Sequence, residues 1–310
     1  MKNFIKSFIF VLIFIIIYYS LSYLLLPKAN IRKYGMYKTA TYEILGEKEN
    51  TIDAIFLGDS LIYSSIVPME IYGNFGYTTF DCSSPALILP DAYKYYEIAL
   101  DSQHPKIAFV EANMFFRDPN KRPWYTKYIK MGKNILPLFN YHDNWKDLIF
   151  SDTGLTNIEK GYRTNKTNKP GKNRDYMKEN KFKAKILKEN EEYLKKIVDL
   201  AKEKNVRLIV IGLPGQTSWN NTRDMKFEEL SQKYGFEYMN LNRSKYNLGI
   251  DWTKETKDKG NHLNYYGAKK VSKYFGEYLK DTNYFVDHRN DPNYKEWNNA
   301  YLKHIENLNN

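Results

Sequence analysis

Apolar positions fall in blocks along this chain rather than alternating residue by residue. The longest block runs from Phe4-Ile5-Lys6-Ser7 through Tyr23-Leu24-Leu25-Leu26 and is broken only by Lys6 near its edge. Its length of about 23 residues is enough to cross a hydrocarbon core of roughly 30 Å. Residues 1–27 therefore read as one transmembrane anchor. A signal peptide would be cut at small residues, but the apolar run continues past Ser20-Leu21-Ser22, so the helix is expected to stay uncleaved. Residues 28–50 are a basic, turn-rich connector. Five short apolar runs follow, each closed by turn residues: Ile52–Leu57, Tyr77–Cys82, Lys106–Ala112, Val206–Ile211 and Gly235–Met239. They are too short for stable helices and read as strands.

Between them the spacing changes to a helical one. Ala92, Tyr95, Tyr96 and Ala99 mark a helix over Asp91–Leu100; Ile186, Leu187, Leu194, Ile197, Val198 and Ala201 mark another over 183–204. Met225–Tyr234 reads as a third, and Val271, Tyr274, Phe275, Tyr278 and Leu279 set out a last one. Strands alternating with helices predict an α/β fold: a three-layer α/β/α sandwich on a central parallel five-stranded sheet. That domain spans 51–282. Within it the pattern dissolves over 115–181, which reads as an insertion rich in aromatic, proline and polar residues, and 283–310 is a polar and aromatic tail with room for one more helix.

A chain of 310 residues allows one such domain with appendages and a sizeable core. The formal charge of +11 fits either a lysine-coated soluble face or attraction to an anionic polymer or membrane. No nucleic-acid recognition motif accompanies it. Cys82 is the single cysteine, so no intrachain disulfide is possible, and its place in a strand-prone run suits a buried structural thiol. No histidine pair has the helical spacing of metal ligands, and one cysteine cannot build a thiolate cluster. No metal and no cofactor are expected.

Two stretches carry candidate chemistry. In Gly58-Asp59-Ser60 a strand ends on a glycine expected to bend the chain sharply, leaving the Ser60 hydroxyl at the carboxyl end of the sheet, where open α/β sheets place their ligands. Near the far end, Asp258-Lys259-Gly260-Asn261-His262-Leu263-Asn264-Tyr265-Tyr266-Gly267-Ala268 sets His262 just ahead of the last helix. A serine hydroxyl needs a base within hydrogen-bond reach, and imidazole suits that role, so Ser60 and His262 are the candidate nucleophile and base. His104, His142, His288 and His304 read as structural or solvated.

With both stretches present, the chain resembles the SGNH/GDSL hydrolase superfamily over about residues 50 to 282. The resemblance implies a flavodoxin-like SGNH fold and acyl-serine chemistry. The superfamily commonly supplies an orienting aspartate three residues before its histidine, where this chain has Lys259; Asp258 lies one residue further back and Gly260 gives the loop freedom to bring it round, with Asp251 as the alternative. The superfamily also carries a glycine after its second strand and a Gly-x-Asn-Asp after its third. No glycine occurs between Gly76 and Gly132, so Ser83 and Asn113 become the candidate oxyanion donors, each equally readable as a turn residue.

This outline is similar to that of membrane-tethered proteins working beside membrane-bound O-acyltransferases, such as the DltD-like proteins of teichoic-acid D-alanylation and those of alginate acetylation. What that implies is extracytoplasmic transfer of an acyl group through Ser60 to hydroxyls of an anionic cell-envelope glycopolymer, with a membrane-bound O-acyltransferase as partner. Trp124, Tyr125, Tyr128 and Trp145 of the insertion suit ring stacking on a glycan or ordinary packing. The basic residues themselves leave the side open: Lys28, Arg32, Lys33 and Lys38 after the helix outnumber Lys2 and Lys6 before it and point the domain inward, yet long domains cross regardless of charge. A carbohydrate esterase of the same fold and a non-catalytic scaffold for an acyltransferase are the alternatives.

Overall fold

Five short runs of buried residues pair into one sheet, all parallel, in the spatial order β2-β1-β3-β4-β5. The strands are β1 (Ala54–Gly58), β2 (Thr79–Ser83), β3 (Ile107–Glu111), β4 (Arg207–Gly212) and β5 (Glu237–Asn240). In this computed structural model the described residues are 2–25, 40–121, 128, 132, 138, 158–178 and 184–309. Every residue of β1 and β3 is buried, the mark of strands covered on both faces. Each strand lies within two residues of its expected span. Just ahead of β1, the Asp53 carboxylate accepts from the Thr78 backbone N–H at 2.9 Å and its Oδ2 lies 3.1 Å from His288 Nε2.

The chain divides into two compact units, Met1–Glu47 with Asn120–Thr156, and Lys48–Pro119 with Asn157–Asn310. The first contains α1 (Lys2–Leu24), whose apolar side chains stand exposed along its length, and a 3-10 turn over Ala40–Gly46. At about 1.5 Å per residue, α1 is long and apolar enough to cross a membrane. Of the insertion aromatics, Tyr128 is exposed, while Trp124, Tyr125 and Trp145 lie outside the described residues, as does His142.

The second unit holds the sheet and its helices: α2 (Ile62–Ser65), α3 (Pro68–Phe75), α4 (Leu89–Gln103), α5 (Lys188–Glu203), α6 (Asn221–Tyr234), α7 (Tyr265–Asp281) and α8 (Lys295–Asn309). Helices cover both sides of the sheet. On one face Phe56 of β1 and Phe109 of β3 stack at 4.7 Å, and Phe275 of α7 meets each of them edge-on at 5.0 Å. Neighbouring α3 packs against α7, and α4 packs against α5. Sequence periodicity missed α3, although its signals are present: Pro68 opens it and Gly76, at φ +77°, closes it in the left-handed region. The tail does form a helix: α8 returns onto α3, where Trp297 packs 5.4 Å from the Tyr72 ring and the Tyr72 hydroxyl donates to Asn298 Oδ1 at 2.9 Å.

Strand order turns back at β1, which is flanked by β2 and β3. Chains leaving the carboxyl ends of β1 and β3 therefore diverge and open a crevice between them, the usual ligand position in such sheets. Ser60 follows the end of β1 and Asn113 follows the end of β3.

Candidate active site

The turn that carries Ser60 is fixed from three directions. Asp59 is buried; its Oδ1 accepts from the Leu61 backbone N–H at 2.9 Å and its Oδ2 is held by the Arg117 guanidinium. A backbone bond from Ile62 N–H to the Asp59 carbonyl at 3.1 Å then starts α2. Gly58 has a different task from the expected one. Its φ lies outside the left-handed region, so it does not bend the chain; instead a Cβ there would come within 2.6 Å of both Glu111 Cβ and Ile62 Cγ1. Absence of a side chain lets β3 and α2 close on the strand end.

His262 comes from a loop held by Thr256. The Thr256 hydroxyl donates to the His262 carbonyl at 2.8 Å and accepts from the Gly260 N–H at 2.8 Å. Lys259 at φ +66° and Gly260 at φ +101° occupy the left-handed region in succession. These two residues absorb the extra position between Asp258 and His262, which lie four apart. Gly260 is also approached closely: a Cβ there would sit 2.6 Å from Gln216 Oε1. The imidazole ends between two oxygens, with Nε2 2.7 Å from Ser60 Oγ and Nδ1 2.5 Å from Asp258 Oδ2. A second bond runs from the His262 backbone N–H to Asp258 Oδ1 at 2.7 Å. A carboxylate only accepts, so Nδ1 carries the ring proton and the Nε2 lone pair faces the serine hydroxyl. Burial raises the Asp258 pKa, but the bonds and charge of His262 outweigh it and hold this carboxyl below its usual range, ionised at neutral pH. Asp251, the alternative orienting residue, is occupied elsewhere: its carboxylate accepts from Thr253 Oγ1 at 2.7 Å and Asn173 Nδ2 at 3.0 Å.

Both oxyanion candidates stand at strand ends beside this centre. Ser83 pairs in register with Gly58, and its buried hydroxyl has no hydrogen-bond partner among the described residues. Asn113 follows Glu111, whose fully buried carboxyl accepts from the Asn113 N–H at 2.6 Å and the Met114 N–H at 3.1 Å. Burial first, then the nearby Asp59, pushes the Glu111 pKa well up. Arg223 of α6 donates to Asn113 Oδ1 at 2.6 Å and to the Ser218 carbonyl at 2.5 Å. With its oxygen so engaged, the Asn113 amide has its N–H₂ end left to offer. Sequence reading missed Arg117, Arg223 and Tyr63. Arg223 lies 110 residues from its partner, and no local spacing signals such a bond. Tyr63 alone had a signal, standing three residues after Ser60 at a helix start; burial raises its hydroxyl pKa, and Arg163 and then Ser60 work against that rise.

The remaining candidates are structural. Cys82 is buried and burial pushes its thiol up, away from the reactive thiolate. His104 closes α4 beside Asn50 Oδ1, His288 stacks on Tyr294 at 3.9 Å, and buried His304 lies 2.7 Å from Glu159 Oε2.

No family model matches this chain, and no curated protein matches it in sequence. Among solved structures it is similar to the psychrotrophic esterase EstA from Pseudoalteromonas sp., at 9% identity and a TM-score of 0.41 over 74% of this chain and 97% of that one. It is also similar to a lipase/acylhydrolase from Enterococcus faecalis, at 10% identity and a TM-score of 0.40 over 74% of this chain and 96% of that one. An acetyl xylan esterase, AlAXEase, matches at 12% identity and a TM-score of 0.39 over 74% of this chain and 100% of that one.

Proposed function

We propose that this chain is a membrane-anchored, serine-dependent acyltransferase acting on hydroxyls of a cell-envelope polysaccharide or teichoic acid. The observation that carries the chemistry is the continuous chain of hydrogen bonds from Ser60 Oγ through His262 to Asp258. His262 Nε2 takes the hydroxyl proton as Ser60 Oγ attacks the acyl carbonyl carbon. The resulting oxyanion is met by the backbone N–H of Ser60, the Ser83 hydroxyl or backbone, and the Asn113 amide. Collapse expels the donor's alcohol or thiol, which recovers the proton from His262, and leaves the acyl group as an ester on Ser60. An acceptor hydroxyl then repeats the sequence in reverse: it gives its proton to His262, attacks the ester, and departs acylated. Asp258 keeps the ring proton on Nδ1 and stabilises the imidazolium formed in each half.

Placement at the envelope is supported by α1, an exposed apolar helix of 23 residues, and by the net charge of +11, which favours an anionic polymer beside a bilayer. Acyl supply by a membrane-bound O-acyltransferase, with the domain on the extracytoplasmic side, completes the reading. An esterase would use the same acyl-serine with water as acceptor, and a scaffold would use no acyl-serine at all.

A serine-reactive fluorophosphonate labels wild type and leaves Ser60→Ala unlabelled; equal labelling of both, or none in either, rejects the acyl-serine. Labelled acyl donor given with and without envelope polymer separates the remaining pair: label on the polymer is the expected result, and label found only as free acid makes the chain an esterase.

A further inference from the structure

Two cations converge on one ring beside the nucleophile. Tyr63 stands three residues after Ser60, in the first turn of α2. The Arg163 guanidinium lies 4.6 Å from the Tyr63 ring centroid, and the Lys257 ammonium lies 5.4 Å from the same centroid. Both are tied to the segment that follows Ser60: the Arg163 backbone N–H donates to the Tyr63 carbonyl at 3.1 Å, and Lys257 Nζ donates to the buried Ser64 hydroxyl at 2.7 Å. They arrive from separate stretches of chain, Arg163 after the turn at 158–161 and Lys257 from the loop that delivers Asp258 and His262.

Among the described residues neither cation lies within ion-pair distance of a carboxylate; Asp258, the negative group nearest in the chain, offsets part of the Lys257 charge while both its oxygens are bonded to His262. Burial holds the Lys257 pKa below the usual lysine range; the Asp258 charge works against that fall, and the like charge of Arg163 adds to it more weakly. An aromatic face offsets part of the repulsion between two such cations. Arg163 is exposed and Lys257 half-buried, so both are open to an anion from solvent, and the forked guanidinium with a point-charge ammonium is a pairing suited to a carboxylate or phosphate.

The geometry points to an anion subsite of Arg163 and Lys257 around Tyr63, which holds an oxyanion carried by the substrate close to the ester handled at Ser60. This rests on the acyl-serine reading above and narrows it: the substrate carries a carboxylate or phosphate a short distance from the reacting oxygen. The subsite is a binding device, so its contribution falls on KM rather than kcat. Its position on Tyr63 sets the spacing between bound charge and reacting hydroxyl.

A matched pair of aryl acetates tests it on the full-length protein in detergent: 7-acetoxycoumarin-3-carboxylate and its neutral methyl ester. Wild type is expected to favour the anion by about tenfold or more in kcat/KM, roughly the factor that 1.4 kcal/mol of differential binding gives. In Arg163→Gln and Lys257→Gln that preference falls towards one through a rise in KM for the anion, and Arg163→Lys retains part of it. A preference that is absent in wild type or unchanged in both glutamine variants overturns the subsite. Inorganic phosphate and acetate, compared as competitors, tell which oxyanion fits better. A second arm does not depend on catalysis: inorganic phosphate at constant ionic strength raises the melting temperature of wild type and not of Arg163→Gln. Phosphate stabilisation that depends on Arg163, in a protein with no Ser60-dependent labelling, keeps the subsite and discards the acyl-serine. Labelling at Ser60 with no phosphate effect and no charge preference does the reverse.

Discussion

The Asp258 carboxylate and the Glu111 carboxyl are tuned in opposite directions. Asp258 is kept ionised by the histidine it orients. Asp258→Asn removes the charge and lets the ring adopt the wrong tautomer, so kcat is expected to fall by about 10³-fold or more, the scale seen when a triad carboxylate is lost. Asp251→Asn, at a carboxylate engaged by Thr253, Asn173 and Lys254 rather than by His262, should leave turnover within about threefold; the opposite ranking in steady-state kinetics would transfer the orienting role to Asp251. Glu111 is buried under Gly58 and pushed up by burial and by Asp59. A carboxyl with a raised folded pKa keeps its proton where the unfolded chain, near pH 4.3, has released it. The folded state then binds more protons, and stability declines as pH rises through that interval. In urea unfolding between about pH 4.5 and 8, wild type should therefore lose stability with pH relative to Glu111→Gln. A difference that is flat in pH contradicts the buried, proton-holding Glu111.

At the scale of elements, the site depends on how tightly β1 ends against β3 and α2. Gly58→Ala places a methyl group where Glu111 Cβ and Ile62 Cγ1 already lie. Such overpacking costs about 1–3 kcal/mol, read as a lower denaturant midpoint, and it should also slow fluorophosphonate labelling by displacing Ser60. Unchanged stability and labelling would show that the strand end is looser than its packing implies. The strands and the four helices with strong periodicity were legible in the sequence, because a sheet covered on both faces writes itself as short continuous apolar runs. Ser60 and His262 were legible because each sits at a junction between a strand or loop and a helix. Other features were not. Gly58 looked like a bend, and only coordinates show that its missing side chain serves a close approach. α3 is short, and its buried residues, such as Glu70 and Tyr72, do not form an apolar stripe. Arg223, Arg117 and Arg163 act on partners far off in sequence or on a ring face, contacts for which a linear spacing carries no signal.

For the whole molecule, an apolar N-terminal helix, a net charge of +11 and a serine-histidine-aspartate chain at the carboxyl end of a parallel sheet are the supports of the proposed acyl transfer at a membrane. In the proposed reading the helix partitions by apolar area, the net charge attracts an anionic polymer, and the serine reacts by proton transfer, so that the acyl group rests on one oxygen, Ser60 Oγ, between donor and acceptor. The most direct test is mass spectrometry of the full-length protein in membranes, acid-quenched after exposure to an activated acyl ester and mapped by peptide. The account predicts one acyl mass added on the peptide containing Ser60, discharged when acceptor polymer is added, and missing in Ser60→Ala. An adduct on another residue, or none in wild type under conditions where the donor is consumed, would contradict it.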